Sequence, residues 1–262
     1  VIAAAATPVR VLTWNVQHAN AIRARKQVSW LSRVDADVVV LTEVSAGASG
    51  DVTARWLREE AGYVVHLPES GADRYRVLVA AKGIIDPVET ATAVMPHRFV
   101  TVRVKPPTGT LFTVAGIYVP SRGAKHERNV AKRAFQDAVT GILPTLADQS
   151  LPVGPCVITG DLNVVEPGHV PHYRVYGGWE YDFYRSFAAN GFTDAYRLLH
   201  GEQIEHSWFG RPSADGLRNG YRFDHAFISS EHRHLVRECA YQHRPRVNGL
   251  SDHSAMILTL HI

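Results

Sequence analysis

The stretch "VITGDLNV", residues 157–164, carries an apolar run straight into Asp161 and Asn163. Gly, Asp and Asn all favour turns, so a strand running into a turn accounts for it locally. A second reading is that a stiff strand holds two polar side chains at the mouth of a site. A charge at the end of a buried strand costs desolvation free energy unless it is paired or bound to a metal. The rest of the chain has to show whether Asp161 has company.

Other short runs have the same character: "VRVLTW" (9–14), "ADVVVLTE" (36–43), "YRVLVAA" (75–81), "RFVTVRV" (98–104), "LFTVAGIYV" (111–119), "PCVITG" (155–160), "RFDHAFIS" (222–229) and "SAMILTL" (254–260). They are rich in Val, Ile, Thr and aromatics and are bounded by Gly, Pro or Asp, which predicts strands. Their near-continuous apolar character suits sheets covered on both faces. Helices are predicted over 22–33, 51–61, 123–147 and 179–190. In the third, Val130, Ala134, Phe135, Ala138, Val139 and Ile142 recur at spacings of three and four. Strands outnumber helices and several follow one another directly, which favours mixed sheets over strict alternation. "VKPPTGT" (104–110) and "VEPGHVPH" (165–172) read as loops. No internal repeat is visible. The expected organisation is a flexible extension over 1–8 and one domain over 9–262.

Of the 262 residues, 45% are apolar and 20% charged, which excludes global disorder and allows a large core. The formal charge of +3 permits a polyanionic partner without requiring one. The two cysteines, Cys156 and Cys239, form no disulfide framework, and a cytoplasmic protein is the expectation. No run is long enough for a membrane span. The opening "VIAAAATP" is too short for a signal peptide, although a leader removed upstream of it stays open.

Asp161 does have company. Asn15 follows "VLTW", Glu43 follows "VVVLT", Asp224 lies within "YRFDHAF", and Asp252 and His253 precede the last strand. Four carboxylates, two amides and a histidine in this position suggest convergence on one cleft. Carboxylate and amide oxygens suit Mg²⁺, with Mn²⁺ able to replace it, whereas zinc would prefer His and Cys. No Walker pattern and no serine-hydrolase elbow is present.

In order and spacing, "LTWNV", "LTEV", "IYVPS", "GDLNV", "GFTDAYR", "HSWFG", "YRFDHAFIS" and "LSDHSAM" resemble the endonuclease/exonuclease/phosphatase superfamily, and within it exonuclease III and the apurinic/apyrimidinic (AP) endonucleases. The resemblance spans nearly the whole chain. It implies an α/β, DNase I-like fold: a four-layer sandwich of two mixed β-sheets flanked by helices. It implies in-line attack of water on a phosphodiester. Glu43 would be the principal metal ligand, with Asn15 beside it and Asp252 as a second ligand or a tuner of the site. Asp161 would deprotonate the water and Asn163 would orient it. His253, held by Asp224, would contact the scissile phosphate, and Tyr118 would touch the phosphate or assist the leaving oxygen. Trp208 would line a pocket for a base-less sugar. Ser121, Arg122, Lys125 and Arg128, with Lys132 and Arg133, would track phosphates, and Arg222 would pair with a carboxylate near the substrate.

A solvated helix face is the alternative for the basic residues, and a core aromatic for Trp208. Asp194 with Arg197 reads as a structural ion pair, and His169 and His172 as a solvated loop. Two positions depart from the repair pattern: Gln17, where an acid or Asn is usual, and Ser121, where Asn is usual. The implied partner is DNA, as abasic or nicked duplex, acted on by a monomer with no membrane involvement. The alternatives are a phosphatase or phosphodiesterase of the same fold acting on RNA or a smaller ester, and a non-catalytic DNA-binding module.

Overall fold

The computed structural model describes residues 7–89, 92, 94–148 and 154–262. Its architecture follows from strands that are apolar on both faces. In β1 (Pro8–Asn15), Val9 and Val11 point to one side and Leu12 and Trp14 to the other. In β2 (Val38–Ser45), Val38 and Val40 join the first set while Val39 and Leu41 join the second. A strand with two apolar faces has to be covered twice. Here a second sheet covers one face and helices the other.

The helix α1 (Ala21–Val34) follows β1 and carries the chain to β2, which lies parallel to it. Asn20 caps α1 by accepting from Arg23 N, and Ala24, Gln27, Val28 and Leu31 form its buried stripe. After α2 (Ala48–Glu59) come β3 (Val64–His66) and β4 (Tyr75–Ala81). With β13 (Val236–Gln242) and β14 (Ala255–His261) they complete a six-stranded sheet in the order β13-β14-β1-β2-β4-β3. The second sheet repeats the device. Here β7 (Phe112–Tyr118) is followed by α3 (His126–Ala147) and the parallel β8 (Cys156–Asp161). Adding β5 (Ile84–Val88), β6 (Phe99–Lys105), β9 (Phe192–Asp194) and β12 (Asp224–Ser229) gives the order β5-β6-β7-β8-β12-β9. Helix α4 (Gly178–Ala189) packs with α3 outside this sheet. The short helices α5 (Ala195–His200) and α6 (Arg244–Val247) and the hairpin β10 (Trp208–Pro212) with β11 (Arg218–Tyr221) complete the chain. The result is the four-layer α/β sandwich expected.

The inner core between the sheets is rich in valine. Gly116 sits within it, where an added Cβ would lie 2.6 Å from Val77 Cγ1 and 2.9 Å from Val40 Cγ1, so the sheets approach closely there. All eight predicted strands and four predicted helices are present.

Two expectations need correction. Thr7 exchanges backbone hydrogen bonds of 3.2 Å with Ile262, and Pro8 already belongs to β1, so these two residues are part of the sheet. Residues 1–6 of the expected extension lie outside the described residues. In α3 the buried face is Lys132, Phe135, Gln136, Val139, Leu143 and Leu146, while Val130 and Ala134 are exposed. The helix is turned relative to the expected stripe because it buries a lysine.

Candidate active site

The site forms where both parallel strand pairs end. Ligand sites in α/β sheets gather at the carboxyl ends of parallel strands, where side chains emerge beyond the covered faces. The inner-face alternation of β1 runs Val9, Val11, Thr13 and reaches Asn15 at the end of the strand. In β7 it runs Phe112, Val114, Gly116 and reaches Tyr118, and in β8 it runs Val157, Thr159 and reaches Asp161. Tyr118 pairs in register with Asp161, and Asp161 with Asp224 of the antiparallel β12. Apolar valines along the inner faces therefore give way together to polar residues.

Glu43 reaches the same place by an irregularity. Strict alternation would send it outward with Val39 and Leu41. The register of β2 against β4 shifts between Leu41 and Val44, and Glu43 has a left-handed φ of 54°. A bulge of this kind re-aims a side chain. Glu43 lies beside Tyr118, whose hydroxyl donates to its Oε1 at 2.8 Å.

Asp161 is held by three hydrogen bonds from two asparagines. Its Oδ1 accepts from Asn163 N at 2.8 Å, and its Oδ2 from Asn15 Nδ2 at 2.8 Å and Asn163 Nδ2 at 3.3 Å. Asn163, at φ 48°, also donates to Val119 O. Gly160 permits this approach: its φ is 151°, and a Cβ there would lie 1.9 Å from Ile117 O of β7. His253 Nδ1 bonds Asp224 Oδ2 at 2.8 Å. The loop that carries His253 is tied to the end of β1, since Trp14 Nε1 donates to His253 O and Ser251 Oγ to Asn15 O.

The electrostatics follow from burial among like charges. Burial pushes the Asp161 carboxyl up and Asp224 adds to this, against His253 and the bonds from Asn163 and Asn15. Burial works against the His253 imidazolium, but Asp224, Asp161 and Asp252 outweigh it, and the ring is held above its ordinary range. Burial, with Glu43 and Asp161 adding to it, raises the Tyr118 hydroxyl, which therefore stays a donor. A carboxylate on one imidazole nitrogen fixes the ring's tautomer and leaves the other nitrogen for chemistry.

Beside these groups lies a cavity of about 320 Å³ whose lining includes Glu43, Ser121, Arg122, Asn163, Asp252 and His253. Tyr176, Trp208, Tyr221 and Phe223 supply its aromatic lining. The Trp208 ring is stacked 5.6 Å from Phe223, and its Nε1 donates to Asp252 Oδ2 at 2.9 Å. Tyr221 and Phe223 were not anticipated as lining residues. Their spacing of two, with Arg222 turned away between them, is the signal that would have found them.

The donors fit a hard divalent cation. Glu43 and Asp252 line one cavity, and Asp252 Oδ1 and Asp224 Oδ1 are buried without a hydrogen-bond partner. Asp161, Asp224 and His253 also place ligand atoms within 4.8 Å of one another. Within that group His253 Nδ1 already bonds Asp224 Oδ2, while Glu43 and Asp252 line the cavity itself. Asn15, expected beside the metal, has its Oδ1 accepting from Gln17 N and its Nδ2 donating to Asp161 Oδ2.

Other expectations are corrected behind the site. Arg222 does pair with carboxylates as expected, with Glu166 and with Asp194 Oδ2, the latter at 2.8 Å, but it is fully buried rather than among substrate contacts. Arg197 bonds Glu166, and Asp194 instead caps α5 through Arg197 N at 3.0 Å. His169 is buried, its Nδ1 bonded to Pro171 O and its Nε2 accepting from Arg222 N. Lys132, expected on a phosphate-tracking face, is fully buried; its Nζ donates to Glu180 Oε1 at 2.6 Å and to Asn163 O at 2.8 Å. Arg122 shares Glu180. Arg128 Nη2 donates to Ser121 Oγ at 3.1 Å, while Lys125 and Arg133 are exposed. Cys156 is buried and its thiol is pushed up to about 12 by burial, as suits an inert core residue.

Comparison with known proteins follows the same direction. The model of the endonuclease/exonuclease/phosphatase family matches residues 12–253. Among solved structures, the chain is similar to the 3′ phosphatase NExo from Neisseria bound to a product DNA hairpin. The TM-score is 0.79 at 18% identity, over 96% of this chain and 99% of that one. It is similar to the 3′-5′ exonuclease NExo from Neisseria meningitidis, with a TM-score of 0.78 at 19% identity over 97% and 100% of the two chains. An AP endonuclease from Archaeoglobus fulgidus gives a TM-score of 0.73 at 21% identity, over 97% and 100%. No curated protein matches the chain. No helix among the described residues is long and apolar enough to cross a membrane.

Proposed function

Because the chain belongs to the endonuclease/exonuclease/phosphatase family, whose members are hydrolytic nucleases and phosphatases, we propose that it hydrolyses DNA phosphodiesters with a divalent metal. The favoured form is an AP endonuclease or 3′-5′ exonuclease. The observation that carries this reading is the cavity itself. It gathers Glu43, Asp252 and His253 in one cavity with Trp208, Tyr221 and Phe223, so a phosphate and an unstacked sugar or base would be met by polar and aromatic groups together. The relatives bound to a DNA hairpin or described as nucleases support the same substrate class.

In this proposal Asp161 takes the proton of the attacking water, whose oxygen bonds to phosphorus as the bond to the leaving oxygen breaks. Asn15 and Asn163 fix the carboxylate's orientation, and its raised pKa makes it a stronger base. His253 presents Nε2 to a phosphoryl oxygen while Asp224 holds the ring. Tyr118 fixes the Glu43 carboxylate. Glu43 and Asp252 would hold Mg²⁺ or Mn²⁺, which supplies positive charge for the phosphoryl oxygens. Arg122 and Ser121 border the cavity where the flanking phosphate would lie.

The test is a substrate panel: abasic duplex, blunt duplex, 3′-phosphorylated and single-stranded DNA, RNA, and inositol or sphingolipid phosphates, each with Mg²⁺ and with EDTA. Chelator-sensitive turnover of DNA is expected. Turnover confined to the small esters, or unaffected by EDTA, would overturn the proposal. Trp208→Ala is expected to reduce abasic-site incision more than nicking of undamaged duplex; equal losses would remove the pocket role.

A further inference from the structure

At the Glu43 oxygen that Tyr118 leaves free stands a histidine that no motif accounted for. Gln17 stands where a second acidic or amide ligand was expected, but its side chain is turned away from the cleft. Arg23 Nη1 donates to Gln17 Oε1 at 2.9 Å, and Arg23 Nη2 bonds the Gln17 carbonyl. The next residue takes the place at the carboxylate: His18 Nδ1 lies 3.2 Å from Glu43 Oε2.

Three features hold the imidazole there. Gln17 and His18 have left-handed φ angles of 51° and 37°, so the chain turns sharply where β1 ends. The main chain of His18 is pinned by a 3.0 Å hydrogen bond from its N–H to Glu43 O. The ring lies 5.3 Å from that of Tyr75, tilted by 35°, and Tyr75 in turn packs against Tyr118. Successive non-glycine residues in this backbone region are costly and concentrate at functional sites. The contact is also half open to solvent, with 53% of the His18 side chain exposed, so a surface ion pair with Glu43 would contribute little to stability.

We propose that His18 Nδ1 joins Glu43 in holding the divalent cation, which makes the site a mixed nitrogen–oxygen one that prefers Mn²⁺ to Mg²⁺. This rests on the metal-dependent reading given above. Two ligand atoms about 2.1 Å from one cation at right angles lie roughly 3 Å apart, close to the observed separation. A neutral imidazole nitrogen is a better ligand for Mn²⁺ than for Mg²⁺, which favours an all-oxygen shell. In this chain the imidazole takes over the place left by Gln17, whose own oxygen is committed to Arg23.

The experiment is calorimetric titration of the whole chain with MnCl₂ and with MgCl₂, together with pulsed electron paramagnetic resonance of the Mn²⁺-loaded protein. Wild type is expected to bind Mn²⁺ at least about tenfold more tightly than Mg²⁺ and to show nitrogen modulation from a bound imidazole. His18→Ala should weaken Mn²⁺ by about tenfold, leave Mg²⁺ within about threefold, and abolish the modulation. Circular dichroism should show an unchanged fold, since His18 is exposed. Unchanged Mn²⁺ affinity in His18→Ala, or modulation lost in His253→Ala but kept in His18→Ala, would overturn the role of His18 alone. Full Mn²⁺ affinity in Glu43→Gln would overturn the metal reading beneath it as well.

Discussion

Lys132→Met is expected to damage the site from behind without touching the cavity. Lys132 and Glu180 are both fully buried, and the lysine also bonds the Asn163 carbonyl. Burial presses the lysine toward neutrality and lowers its pKa, with Glu180 opposing. Removing one partner of such a pair strands the other charge and costs about 3–5 kcal/mol. Glu180 keeps Arg122, whose side chain is 32% exposed, so the low end, about 3 kcal/mol, is the expected loss. For a chain of this size that lowers Tm by roughly 6–12 °C. Adding Glu180→Gln removes the stranded charge and should return about half of the loss. Because the Asn163 carbonyl loses its lysine donor, kcat should fall by roughly tenfold in conditions where the variant stays folded. Urea unfolding, thermal melts and steady-state kinetics on all three proteins measure this. A single variant within about 0.5 kcal/mol of wild type, or a double variant less stable than the single, would refute the reasoning.

Three further outcomes are expected. Asp224→Asn leaves His253 Nδ1 without its charged partner at 2.8 Å and should lower kcat by about 10²-fold with KM little changed; near-normal turnover would remove the pair from the mechanism. Burial pushes the Glu166 carboxyl up, but Arg197 and Arg222 outweigh it and hold it down at about 2. Its contribution is therefore complete above the ordinary carboxylate range and lost as pH falls toward 2. This is worth up to about 3 kcal/mol, which Glu166→Gln should remove from the pH dependence of urea unfolding; an identical slope in the variant would count against the network. Gly160→Ala puts a Cβ against Ile117 O and should cost at least about 2 kcal/mol, read by the same unfolding assay; a neutral variant would show that the approach of β7 to β8 is less tight than described.

The long central strands were legible because both of their faces are buried, which leaves nearly unbroken apolar runs. The edge and hairpin strands were not. Val64–His66 is three residues long, Ile84–Val88 is largely exposed, and Val236–Gln242 mixes charges with apolar residues because one face meets solvent. In the site, Asp161 was legible as a charge closing an apolar run and Asp224 as a charge within another, and their register pairing explains why they meet. The aim of Glu43 was not legible, since it depends on a bulge that breaks the period of two. Nor was the burial of Lys132 and Arg222: a basic residue reads as surface until its partners, Glu180 in one case and Asp194 with Glu166 in the other, are brought beside it by the fold. His18 was hidden for the same reason, since only a left-handed turn brings it to Glu43.

The most direct test of the account is the turnover of DNA by Asp161→Asn with Mg²⁺ or Mn²⁺. The amide keeps the size and most of the hydrogen bonding of the carboxylate but cannot accept the water's proton. The account predicts a fall of about 10³-fold or more in kcat, with melting temperature and DNA affinity close to wild type. Turnover within about tenfold of wild type in a correctly folded variant would contradict it.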